Sequence, residues 1–106
     1  MTTALSVIQI VKDIASTANS MLGMYRDTNT VDIRKRTYLR ERINELVART
    51  HARALGDLTR INIEELVKTQ RLIDSYGTGG RLYEMQMVHL RELSNALVEN
   101  LCNFSG

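Results

Sequence analysis

Between Ala4 and Tyr25 the chain carries two charged side chains, Lys12 and Asp13, and its apolar residues recur with a seven-residue period. Read as heptad columns, one line holds Ala4, Val11, Ala18 and Tyr25, a second Val7, Ile14 and Met21, a third Ile8, Ala15 and Leu22, and a fourth Ile10, Thr17 and Met24. The other three columns, Leu5-Lys12-Asn19-Arg26, Ser6-Asp13-Ser20-Asp27 and Gln9-Ser16-Gly23, form a narrow polar back. A surface helix of a globular protein needs about three apolar columns in seven. A helix from Ala4 to Asp27 with four of them must be covered on two sides, by its own chain or by another copy.

Punctuation along the chain shows what can supply that cover. Proline is absent from all 106 residues, against an average usage of about 5%, so the strongest helix breaker is missing. After Asp27, Thr28, Asn29 and Thr30 offer N-cap side chains, and Asp32 falls where the positive end of a second helix favours an anion. That helix is expected to run to about Leu55, with an apolar stripe of Leu39, Ile43, Leu46, Val47, Thr50 and Ala54, and Gly56 can supply a left-handed ending. A third helix, Ile63 to about Ser75, follows from Asn62 and Glu65 at capping-box spacing and Ile61 and Leu66 at staple positions. The rival is a single rod made from helices two and three, of about 45 residues and roughly 68 Å, since one glycine costs only about 1 kcal/mol. Tyr76-Gly77-Thr78-Gly79-Gly80 stops the third helix. The last, Arg81 to about Asn103, sets Tyr83, Leu90, Leu97 and Phe104 seven residues apart, with Leu93 and Leu101 beside them. Apolar stripes on short connections predict an all-α antiparallel bundle of four helices, a single domain over 1–106.

The charge is small but uneven. Arg26 to Arg60 holds nine basic and five acidic residues, whereas Ile61 onward holds four and six. The single cysteine, Cys102, rules out an internal disulfide framework and fits a reducing compartment, so a cytoplasmic protein is expected. No basic n-region with a cleavage site opens the chain, and Lys12-Asp13 interrupts the first apolar run well short of the ~20 residues of a membrane span. A helix lying on a membrane would line its polar face with Lys and Arg. Here that face is Ser, Asn and Gln, and no membrane partner is expected.

The usual catalytic and metal constellations are missing. His51, His89 and Cys102 are widely separated and none forms the close pair of a zinc site. A di-metal bundle needs Glu three residues before each His, but Ala48 and Gln86 stand there. Cys102 lies near a helix C-terminus, where the dipole disfavours a thiolate. No general acid–base or nucleophile pairing is visible, and we expect a protein that is not an enzyme, with no cofactor and no metal.

Two regions remain as candidate binding sites. Gly77-Thr78-Gly79-Gly80-Arg81 leads into a helix start, where free N–H groups and an arginine can hold a phosphate or carboxylate. It lacks the P-loop pattern and a preceding strand, and its plainer reading is a flexible turn with Thr78 or Gly79 as cap. On the second helix Lys35, Arg42 and Arg49 are seven residues apart and Arg53 shares their side, a basic ladder of about 27 Å. Arg34, Lys35 and Arg36 crowd that helix's start, which the dipole penalises by roughly 0.3–1 kcal/mol each at exposed sites. Three readings stay open: a solvated flank with Asp32–Arg36 and Glu45–Arg49 pairs, an acidic protein partner, or nucleic acid. A stacking aromatic set is lacking for the last. Eleven arginines against three lysines add slight weight to anion contacts. Met21, Met24, Met85 and Met87 read as core filler.

Together these features predict a helical protein–protein interaction module, of small adaptor, assembly or inhibitor type, acting as a homo-oligomer with a dimer favoured. Self-association is expected on the first helix through Val7, Val11, Ile14, Ala18, Met21 and Tyr25, where small neighbours permit close approach. The alternative is a nucleic-acid-binding helical protein using Lys35, Arg42, Arg49 and Arg53.

Overall fold

The computed structural model describes residues 2–51 and 56–105, and within them the side chains of 6–50 and 56–103. Helix α1 spans Thr2–Thr28, α2 Ile33–His51, α3 Asp57–Ser75 and α4 Arg81–Ser105, and no strand occurs among the described residues. The first helix is wide because it lies between two others. It packs on α2 and α4, α3 also packs on α2 and α4, and among the described residues neither diagonal pair comes into close backbone approach. Side-chain bonds show how α1 runs against its two neighbours. Asn19 and Arg26 of α1 meet Arg91 and Glu84 of α4, so numbers rise along one helix as they fall along the other. Asp13 with Arg42 and Ser20 with Lys35 show the same reversal between α1 and α2.

One continuous core fills the space between them. Val11, Ile14, Ala18, Met21 and Leu22 of α1 share it with Leu39, Ile43 and Leu46 of α2, Leu66 and Ile73 of α3, and Tyr83, Met87, Leu90 and Leu97 of α4. The α2 stripe is as expected at Leu39, Ile43, Leu46 and Thr50, with Val47 half-buried; Ala54 lies outside the described residues. In α4, Tyr83, Leu90 and Leu97 are fully buried, Leu101 nearly so and Leu93 half-buried; the Phe104 side chain is outside the described set. Three buried hydroxyls turn back on their own helices. Thr50, Thr69 and Ser94 donate to the carbonyls of Leu46, Glu65 and Leu90, which removes the cost of an unpaired polar group.

The long axis is 41 Å, with 20 and 19 Å across. A 27-residue helix such as α1 is about 40 Å long at 1.5 Å per residue. The single rod is excluded, because α2 and α3 lie side by side and Arg36 reaches Asp74. Helix starts differ from expectation. Asp32 caps α2, its carboxylate accepting the Lys35 N–H at 3.0 Å, and Thr28 to Thr30 instead end α1. Asn29 takes φ 57° and donates to the Tyr25 carbonyl, a left-handed ending. The third helix begins at Asp57, six residues before Ile63, with Gly56 at the cap and no side-chain cap bond. The Asn62–Glu65 capping box is therefore inside a helix, and the staple is absent: Leu66 is buried while Ile61 is 53% exposed. An acidic Asp57 in the first turn favours the earlier start.

Candidate interaction surfaces

The residues expected to serve self-association are built into the chain's own core. Val11, Ile14 and Ala18 have no exposed surface, Val7 and Met21 almost none, and Tyr25 is half-buried. Of the two covers the width of α1 allowed, its own chain supplies this one. A second copy reaches these side chains only if one of the chain's helices swings out. Met21 and Met87 are core as expected, but Met24 and Met85 are exposed.

Two members of the basic ladder, Lys35 and Arg42, bond across the seam between α1 and α2. Arg42 lies between two carboxylates, its Nε donating to Asp13 Oδ2 at 2.8 Å and its Nη1 to Glu45 Oε1 at 2.5 Å. Arg49 donates to the other Glu45 oxygen at 3.1 Å, Lys35 donates to the Ser20 hydroxyl, and the Tyr38 hydroxyl donates to Asp13. That bond to a carboxylate holds the Tyr38 pKa above its ordinary value. Arg53 lies outside the described residues. Asp32 accepts from its helix start rather than from Arg36, whose guanidinium turns to Asp74 at 3.5 Å and the Gly77 carbonyl at 3.4 Å. Arg42 and Arg49 thus spend their charge on carboxylates of this chain. Beside them Ser16, Thr17, Ser20, Arg34, Lys35 and Tyr38 line an open groove of about 400 Å³.

The glycine loop is organised by an aromatic lock. The Gly80 N–H donates to the Tyr25 hydroxyl at 2.6 Å, and the Gly79 N–H to the Tyr76 carbonyl at 2.9 Å, so two of its amides are occupied. Gly79 has φ 92°, and a Cβ there would stand 2.7 Å from the Tyr25 ring. Tyr25 meets Tyr83 edge to face at 5.0 Å. Neither Thr78 nor Gly79 caps α4; the Gly80 carbonyl takes the Glu84 N–H at 3.1 Å. Arg81 turns instead toward a second open groove, about 450 Å³, with Arg26, Glu84, Met85, Val88, His89 and Glu92. The Tyr83 hydroxyl has no hydrogen-bond partner among the described residues, and its burial raises its pKa.

No group of three or more His, Cys, Asp or Glu able to hold a metal occurs among the described residues. His89 and Cys102 are exposed, and the His51 side chain is outside the described set. No helix is long and apolar enough to cross a membrane among those residues.

Sequence reasoning missed the outer side of α3. Leu58, Ile61 and Leu72 are 62%, 53% and 41% exposed. Asp74 faces α2 through Arg36 and Arg40, and these three lie on the side of α3 turned away from it, in solvent. Leu82 is 52% exposed, on the flank of α4 turned away from the Glu84 and Arg91 contacts with α1. The signal was present as the spacing 58, 61, 72, but the misplaced start at Ile63 cut the first two residues out of the helix.

No family model matches the chain, and no match was found among curated proteins or among solved structures.

Proposed function

We propose that the chain is a non-enzymatic interaction module of the cytoplasm, folded as an antiparallel four-helix bundle and acting as a homo-oligomer. The observation that carries this reading is the set of large apolar side chains left in water on the α3–α4 side, while the wider apolar face of α1 is satisfied internally. Scattered apolar residues on a surface are ordinary, but a run along one helix flank continued on its neighbour is the form an association surface takes. The ladder of α2 supports nucleic-acid binding less well, because phosphates would have to displace Asp13 and Glu45 from Arg42 and Arg49.

The test is light scattering after size exclusion at low and high salt, with absorbance at 260 and 280 nm read on the same peak. A nucleic-acid-free mass above that of the 12.1 kDa chain at both salts is expected. A single-chain mass carrying excess 260 nm absorbance that salt removes would overturn it in favour of nucleic acid.

A further inference from the structure

We propose that the solvent face of α3 is a two-fold interface, on which α3 of a second copy of this chain packs antiparallel; this rests on the homo-oligomer reading above and gives it a surface. Leu58, Ile61, Glu65, Lys68, Leu72 and Ser75 fall at alternating steps of three and four residues, the a and d positions of a heptad seam. At 3.6 residues per turn they occupy an arc of about 100° that extends about 26 Å along the helix. All are exposed except Glu65, which is half-exposed. The opposite side of the helix, Ile63, Leu66, Thr69, Gln70 and Ile73, is buried in the monomer. The seam is therefore available without unfolding anything.

The charge pattern selects the occupant and its direction. Glu64 and Glu65 precede Lys68 and Arg71, and none of the four takes part in an ion pair among the described residues. A two-fold axis across the helix reverses that order, so the acidic half of one copy lies on the basic half of the other. In the register that sets Ile61 against Leu72 of the second copy, Glu65 falls against Lys68 and Leu58 against Ser75, with Glu64 near Arg71. Because a two-fold contact is reciprocal, each pairing occurs twice. A parallel pairing in register sets Glu on Glu and Lys on Lys, and like charges repel at each contact. The central Glu65–Lys68 pairs contribute register more than strength, as polar residues in a seam do. One helix face is less than the ~800 Å² per partner of a standard interface, so the dimer is reversible and concentration-dependent.

The experiment is light scattering over a concentration series on the full chain, for wild type, Glu65→Lys, Lys68→Glu and the double variant, with helicity checked by circular dichroism. Wild type should dimerise, each single reversal should weaken the dimer by about tenfold or more, and the double variant should regain it, since reversing both charges restores the complement. Single variants that dimerise like wild type, or a double variant that stays monomeric, would overturn this surface and leave self-association by another face. A wild-type chain that remains monomeric throughout would overturn both this interface and the homo-oligomer reading.

Discussion

Helices α1 and α3 make opposite use of their apolar residues. The first has four apolar columns and keeps nearly all of them inside, from Val7 to Leu22; the third has a narrower stripe yet leaves Leu58, Ile61 and Leu72 in water. The difference comes from neighbours rather than from hydrophobicity. Helix α1 is flanked by α2 and α4, each tied to it by side-chain bonds at Asp13, Ser20, Asn19 and Arg26. Among the described residues the ion pairs between α2 and α3 converge on Asp74 alone, at the end where Arg36 and Arg40 reach it. The amount of apolar surface on a helix therefore does not say which helix meets a partner; what matters is the part its own bundle leaves uncovered.

The comparison breaks most readily at the centre of α1. Ile14→Glu places a charge among fully buried side chains and should remove the cooperative melting transition, a loss above about 4 kcal/mol, whereas Ile14→Ala should cost about 2–5 kcal/mol. Unchanged melting of the Glu variant would mean that α1 faces outward. Next in size is Gly79→Ala. A positive φ and the Tyr25 ring at 2.7 Å from the added Cβ should together lower stability by about 1–3 kcal/mol, read as a fall in Tm. Removing the α2 cap with Asp32→Ala should cost about 1 kcal/mol in denaturant unfolding.

Tyr83 sharpens the picture of the core end of α4. Its burial raises its folded-state pKa above the ordinary value, so its stabilising contribution is full below about pH 10 and is lost as pH rises through the raised folded value. Tyr38 adds to the same alkaline loss. Tyr83→Phe should leave stability near neutral pH unchanged or higher, because the hydroxyl it removes has no partner among the described residues, and should flatten the decline above about pH 10 only in part. An equally steep decline in the variant would show that Tyr83 does not contribute. The smallest effect on folding is expected on α3, where Ile61→Glu should change stability by no more than about 0.5 kcal/mol.

Much of the fold was legible because it follows from period. The four helices, the α4 stripe of Tyr83, Leu90 and Leu97, and the need to cover α1 twice are consequences of apolar spacing. Caps were less legible. Asn62 and Glu65 have the spacing of a capping box, but any helical i, i+3 pair has that spacing, and Asp57 began the helix first. The surfaces were read least well. Periodicity ranks helices by apolar width and so pointed to Val7, Val11, Ile14, Ala18, Met21 and Tyr25, which the tertiary packing places inside. The Glu45–Arg49 pair of the ladder was legible from its i, i+4 spacing, but the bridge from Arg42 was not, because Asp13 lies on another helix 29 residues away. Likewise the contact of Tyr25 with Gly80 joins residues 55 apart, and no local pattern announces it.

The central claim, that association uses the outside of α3 while α1 stays inside, is tested most directly by sedimentation velocity on wild type and Ile61→Glu at matched concentrations. The account predicts a wild-type sedimentation coefficient that rises with concentration toward a dimer, and an Ile61→Glu chain that keeps its helicity and sediments as a monomer throughout. A variant that dimerises as strongly as wild type would contradict it, as would a wild-type chain that never leaves the monomer.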